Sequence, residues 1–169
     1  MASIMMATLS WAALCGLSAW TSLSHWQTEE LRQVVVVIFS AGGLVALPAA
    51  CAGAWLVLRR GSSKSQQFAA FFVCLTVMTI GTTSLIFALV YRSYYAAWHA
   101  DTFSYVWFLQ LIFTTASALY QFATTGLRCY FPWGFVGLFA FSLWFAWCFT
   151  LSLPASSATR QRNISPKAG

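Results

Sequence analysis

Five long stretches of this chain contain no charged residue and no histidine, and they constrain the fold more than any other feature. They cover residues 2–20, 34–58, 68–91, 103–126 and 132–153. An α-helix that crosses the hydrocarbon core of a bilayer needs about 20 apolar residues, whereas a transmembrane strand is about ten residues long and alternates in polarity. The sequence therefore predicts an all-α integral membrane protein with a bundle of five transmembrane helices.

The composition supports the same class. Only 7% of the 169 residues are charged and 60% are hydrophobic, whereas a soluble domain carries about 25% charged residues. We expect one helical bundle over residues 1–153 and a flexible, polar and basic tail over residues 154–169. No Lys or Arg precedes the first apolar stretch, which favours a retained helix over a signal peptide. Four helices would remain if that stretch were cleaved.

Breakers and short links predict how the helices connect. Pro48 is expected to kink the second helix near Leu44, because its ring removes one backbone hydrogen bond. Only residues 127–131 separate the fourth and fifth stretches, which predicts that these two helices form an antiparallel hairpin packed side by side.

Basic residues are spread over all the loops and the tail, which is typical of topology signals and not of a nucleic-acid surface. With five crossings the termini lie on opposite sides. The compact cluster Arg59, Arg60 and Lys64, with Arg128, predicts the cytoplasmic side. The tail would then be lumenal or extracellular, where Asn163 in Asn-Ile-Ser would be a glycosylation acceptor.

The fourth helix carries the clearest polar pattern in the chain. Its polar side chains recur every three or four residues and so form one stripe, and the third helix has a shorter stripe of threonines. Three roles are open: interhelical hydrogen bonds, contact with another subunit, or the lining of a path for a lipid, small polar ligand or ion. The stripes consist of Gln110, Thr114, Ser117, Gln121 and Thr124, and of Thr76, Thr79 and Thr83.

Small residues recur on the second helix, where they predict a packing face. Gly42, Ala46, Ala50 and Gly53 allow two backbones to approach closely. The fifth helix is instead apolar all round and rich in Phe and Trp, which indicates exposure to lipid or enclosure by other membrane helices.

All acids and both histidines fall in the first and third loops. His25, Glu29, His99 and Asp101 are candidate ligands for a divalent metal, although their spacing matches no established ligand pattern. A solvated rim or a partner contact is the favoured interpretation. Aromatic residues around these loops predict an anchoring belt at the membrane interface.

No catalytic motif is present, and the apolar stretches hold no ionisable group apart from Cys and Tyr. The leading hypothesis is a non-enzymatic accessory, assembly or structural subunit of a larger membrane complex, which acts by lateral helix association with other subunits or in a homo-oligomer. The alternative is a small transporter or a lipid- or sterol-binding protein whose polar cavity is lined by helices three and four. A metal-dependent membrane enzyme is the third hypothesis. We expect no cofactor beyond bound lipid, and no nucleic acid.

Overall fold

The fold is a bundle of long helices, and a computed structural model describes residues 2–24, 28–58 and 62–150. The described residues contain helices and turns but no strand. Helices α1 to α4 are each long and apolar enough to cross a membrane, whereas the described apolar part of α5 is shorter, Trp133–Cys148. The helices are α1 (Ala2–Ser22), α2 (Glu29–Val57), α3 (Lys64–Tyr95), α4 (Tyr105–Thr124) and α5 (Trp133–Thr150), with short 3-10 helices over Ala96–Trp98 and Gly126–Tyr130.

Polar residues extend α2 and α3 beyond the apolar stretches that predicted them. Glu29 and Glu30 form the first turn of α2, where negative charge is favourable beside the helix dipole. Ser63 and Gln66 form a reciprocal capping box that starts α3 and so satisfies two backbone donors. Helix α2 is continuous through Pro48.

Helix α2 packs antiparallel to both α1 and α3 through small residues. A Cβ atom added to Gly43 would lie 3.0 Å from the Cα atom of Ala12, and one added to Gly42 would lie 2.9 Å from the Cα atom of Thr83. Only glycine permits backbones to approach this closely. The bundle has two ends. The Lys64 end holds the start of α1, the end of α2 and the start of α3, and the Tyr95 end holds the end of α1, the start of α2 and the end of α3.

Helix α5 runs antiparallel to the first half of α3. Phe139 lies edge-on to Phe72, with the ring centroids 6.3 Å apart, and further along α5 the Lys64 ammonium lies 5.4 Å from the Trp147 ring. The rings of Phe145 and Phe71 stack between these contacts, 4.0 Å apart. Since residue numbers rise along α5 as they fall along α3, α5 ends at the Lys64 end.

Helix α4 also runs antiparallel to α3, but along its second half. Phe122 lies 6.0 Å from Phe87, while the Arg92 guanidinium lies 5.7 Å from the Trp107 ring. The predicted hairpin is therefore wrong: α4 and α5 follow one another along α3 and do not pack side by side. The physical reason is the 3-10 helix Gly126–Tyr130, which carries the chain onward by about 2 Å per residue instead of reversing it.

This 3-10 helix, which we call the linker helix, is anchored inside the bundle. The Ser18 hydroxyl donates to the Cys129 carbonyl at 2.8 Å, and the Tyr130 ring lies 4.9 Å from Phe39. Arg128 consequently lies partway along the bundle and is not grouped with Lys64, contrary to the sequence prediction.

Candidate functional site

The polar stripe of α4 starts partly covered by α3 and ends uncovered. Ala118 and Phe122 are buried and mark the side of α4 that faces α3. Gln110 and Thr114, on the same flank, are half-buried, whereas Ser117, Gln121 and Thr124 are exposed. We call the exposed surface formed by Phe113, Ser117, Tyr120, Gln121 and Thr124 the outer face of α4. Phe113 and Ser117 lie at its edge, beside the space between α3 and α4.

Hydrogen bonds from this stripe stay local. The Thr114 hydroxyl donates to the Gln110 carbonyl at 2.7 Å, and the Thr124 hydroxyl donates to the Tyr120 carbonyl at 3.1 Å. The Gln110 side chain accepts from the backbone N–H of Ala100 at 2.9 Å and so holds the connection before α4. Within the described residues no side-chain hydrogen bond joins the stripe to α1, α2, α3 or α5.

The threonines of α3 behave differently, because two of them bind other elements. The buried Thr79 hydroxyl accepts from the indole N–H of Trp11 at 3.3 Å. The fully buried Thr83 hydroxyl accepts from the phenol of Tyr130 at 2.7 Å. Thr76 only donates to its own helix, at the Phe72 carbonyl. The α3 stripe thus joins α1 and the linker helix to α3, and does not face the stripe of α4.

Trp11 and Tyr130 were not among the residues singled out from the sequence. Tyr130 falls in what the sequence presents as a loop, and Trp11 falls inside an apolar stretch. The only available signal was the presence of one N–H and one O–H donor within regions poor in other polar groups. Such donors need partners when they are buried.

The small residues of α2 lie inside the bundle. Ala46 and Ala50 have no exposed surface. Gly42 lies against Thr83, and a Cβ atom added at Gly53 would meet the Cys74 sulfur at 3.4 Å. The structure thus places this face against α3 and not against an outside partner.

An apolar cleft of about 210 Å³ opens where α1, α3, the linker helix and α5 meet. Its mouth includes the exposed side chains of Leu127, Ile80 and Phe135. Trp11 and Tyr130 form part of its walls. Thr79, which accepts the hydrogen bond from Trp11, also lines it, together with Thr76, Gly134 and Leu138.

A second space of about 210 Å³ lies between α3 and α4. From the α4 stripe it includes only Thr114 and Ser117, and its other walls are aromatic: Tyr91, Tyr95 and Phe113. Gln110 and Gln121, which belong to the stripe predicted to line a cavity between these helices, do not line this space.

The acids and His99 lie at the Tyr95 end. Glu29 and Arg32 form an ion pair, and the Arg32 guanidinium lies 3.8 Å from the Trp20 ring centroid. Within the described residues, no three His, Cys, Asp or Glu side chains lie close enough to hold one ion. His25 falls outside the described residues, as does Asn163. Among the described residues, His99 and Asp101 thus have no third candidate metal-ligating side chain close to them.

No family model, no curated protein and no solved structure matches this chain. The fold and its exposed surfaces are therefore the basis of any functional assignment.

Proposed function

We propose that this protein is a multi-pass membrane protein that acts without chemistry of its own, as an accessory or assembly subunit that associates laterally through the outer face of α4. The observation that carries the proposal is the exposed end of the polar stripe. Gln121 and Ser117 are uncovered and have no side-chain hydrogen bond within the described residues.

A membrane environment makes such a surface costly unless something covers it. A side-chain amide in hydrocarbon loses the hydrogen bonds that water would supply, at a cost of several kcal/mol. A second membrane helix can restore them, and each interhelical hydrogen bond contributes about 0.6–2 kcal/mol. The small Ser117 and Thr124, seven residues apart on one face, would allow that helix to approach closely.

Large apolar side chains flank the polar positions. Tyr120 is 73% exposed and Phe113 is 68% exposed. A surface that combines aromatic anchors with a few polar groups is typical of a protein interface. By contrast, the space between α3 and α4 contains only two stripe residues, which favours association over a polar transport path.

The test compares the particle mass of the full chain in mild detergent with that of a Gln121→Leu, Ser117→Ala double variant. We expect the native protein to run as a complex larger than its own 18.7 kDa, after correction for bound detergent, and the double variant to lose that complex while it remains folded.

Gln33→Leu is the matched control, because Gln33 is exposed on α2 and the substitution is chemically the same. It should leave the complex intact. A monomeric native protein, or a double variant with an unchanged complex, would overturn the proposal.

A further inference from the structure

The linker helix contributes to the apolar cleft and also carries Arg128. Leu127 and Tyr130 line the cleft, and Arg128 follows Leu127 directly in the chain. We propose that this region is a binding site for one anionic phospholipid, with a segment of one acyl chain in the cleft and the phosphate group at Arg128.

Hydrocarbon is the only ligand chemistry that the walls favour. The Trp11 and Tyr130 donors already bind Thr79 and Thr83, and the Thr76 hydroxyl binds its own helix. A polar ligand would lose its water without gaining these donors. An engineered apolar cavity of about 150 Å³ holds a benzene ring, so a cleft of about 210 Å³ has room for a short segment of one chain.

The cleft opens sideways and not towards either end of the bundle. Ile80 is 37% exposed and Phe135 is 60% exposed; Ile80 lies in the middle of α3, and Phe135 lies near the start of α5, which begins partway along the bundle. In a bilayer this mouth faces lipid tails. Acyl chains are therefore the apolar molecules that reach it at the highest concentration.

Arg128 supplies the selectivity for an anionic headgroup. Its side chain is exposed, and it forms no ion pair with any described acid. The neighbouring Cys129 carbonyl is bound by Ser18, which lies four residues, or about 6 Å of helix, before the end of α1. An arginine at this depth can extend towards the interface, where it can bind the phosphate of either kind of phospholipid. The trimethylammonium group of a choline headgroup repels it, whereas a headgroup of net negative charge does not.

The lipid site requires the membrane placement proposed above but needs no partner subunit. The Gln121→Leu, Ser117→Ala variant should therefore bind lipid like the native chain. If lipid selectivity persists in that variant while its complex is lost, the two sites are independent.

The experiment is native mass spectrometry of the full chain, delipidated in mild detergent and then given equal amounts of phosphatidylglycerol and phosphatidylcholine. We expect one bound phospholipid and about tenfold preference for phosphatidylglycerol, because both lipids carry the phosphate and only phosphatidylcholine carries a cation that Arg128 repels. Arg128→Gln should reduce the preference to near one without abolishing binding, and Arg128→Lys should retain most of it.

A pair of matched variants tests the cleft. Thr76→Phe places a ring in the cleft and should reduce binding of both lipids at least fivefold, whereas Thr115→Phe should not. Both threonines are half-buried and donate to their own helix at 2.7 Å, but only Thr76 lines the cleft. Equal binding of the two lipids by the native chain, unchanged selectivity in Arg128→Gln, or unchanged binding in Thr76→Phe would each overturn the proposal.

Discussion

Replacing Gly42 with alanine tests the packing of α2 against α3 at its tightest point. The added methyl group would lie 2.9 Å from both the Cα and Cβ atoms of Thr83, so one backbone must move. Overpacking of this kind costs about 1–3 kcal/mol. The same movement strains two hydrogen bonds, from Thr82 to the Gly42 carbonyl at 3.0 Å and from Tyr130 to Thr83, each worth about 0.5–1.5 kcal/mol.

The expected loss is therefore about 2–3 kcal/mol of unfolding free energy, or about 4–12 °C in Tm for a protein of this size. The assay is thermal unfolding in detergent, followed with a fluorescent thiol reagent that reports exposure of the buried Cys15 and Cys129. Gly81→Ala is the matched control, because an added Cβ there has no neighbour within 4 Å. Its Tm should rise by up to about 4 °C, since alanine favours helix over glycine by about 1 kcal/mol. Equal changes in the two variants would refute the close packing at Gly42.

Two further predictions concern the linker helix. Tyr130→Phe should lower the unfolding free energy by about 0.5–1.5 kcal/mol, because it removes the buried hydrogen bond to Thr83; a double-mutant cycle with Thr83→Val should show coupling of similar size, and additive effects would contradict that bond. Because α4 and α5 follow one another along α3, tags fused before Met1 and after Gly169 should lie on the same side of the membrane. On this topology the sequence segments that join the Lys64 end contain Arg59, Arg60, Lys64, Arg160, Arg162 and Lys167, against Arg32, Arg92 and Arg128 on the other side, so both tags should be cytoplasmic and accessible to protease in intact microsomes, and Asn163 should stay unglycosylated. Protection of one tag alone would contradict this topology.

Helix positions were the part of the fold that the sequence predicted well. Apolar stretches of bilayer length marked all five helices, because such stretches are rare outside membrane spans. Their limits were less accurate, since charged and polar caps such as Glu29 and Ser63 belong to the helices that they begin. Apolarity alone gives no signal for those turns.

The relation between α4 and α5 was not predictable from the length of the connection. Five residues allow either a reversal or a 3-10 helix that continues forward, and the choice depends on the burial of Cys129 and Tyr130 among distant residues. The Ser18 and Thr83 partners lie 111 and 47 positions away in the chain. Local sequence patterns hold no information about such pairs.

The candidate surfaces were predicted in part. The spacing of polar residues on α4 places them on one stripe, since helical periodicity fixes which residues share a face, and the role of that stripe stays a prediction. It did not show which end of the stripe α3 covers. The cleft was missed entirely, because it is formed by residues of four elements whose contacts depend on the linker helix.

The most direct test of lateral association is photocrosslinking in native membranes from a benzoylphenylalanine placed at Tyr120, on the outer face of α4. Val77 on α3, which is also exposed, at 59%, is the reference position. We predict a discrete protein adduct from position 120, none from position 77, and loss of the adduct when Gln121→Leu is added. Adducts with lipid alone at position 120, or identical protein adducts at both positions, would contradict the proposed role of α4.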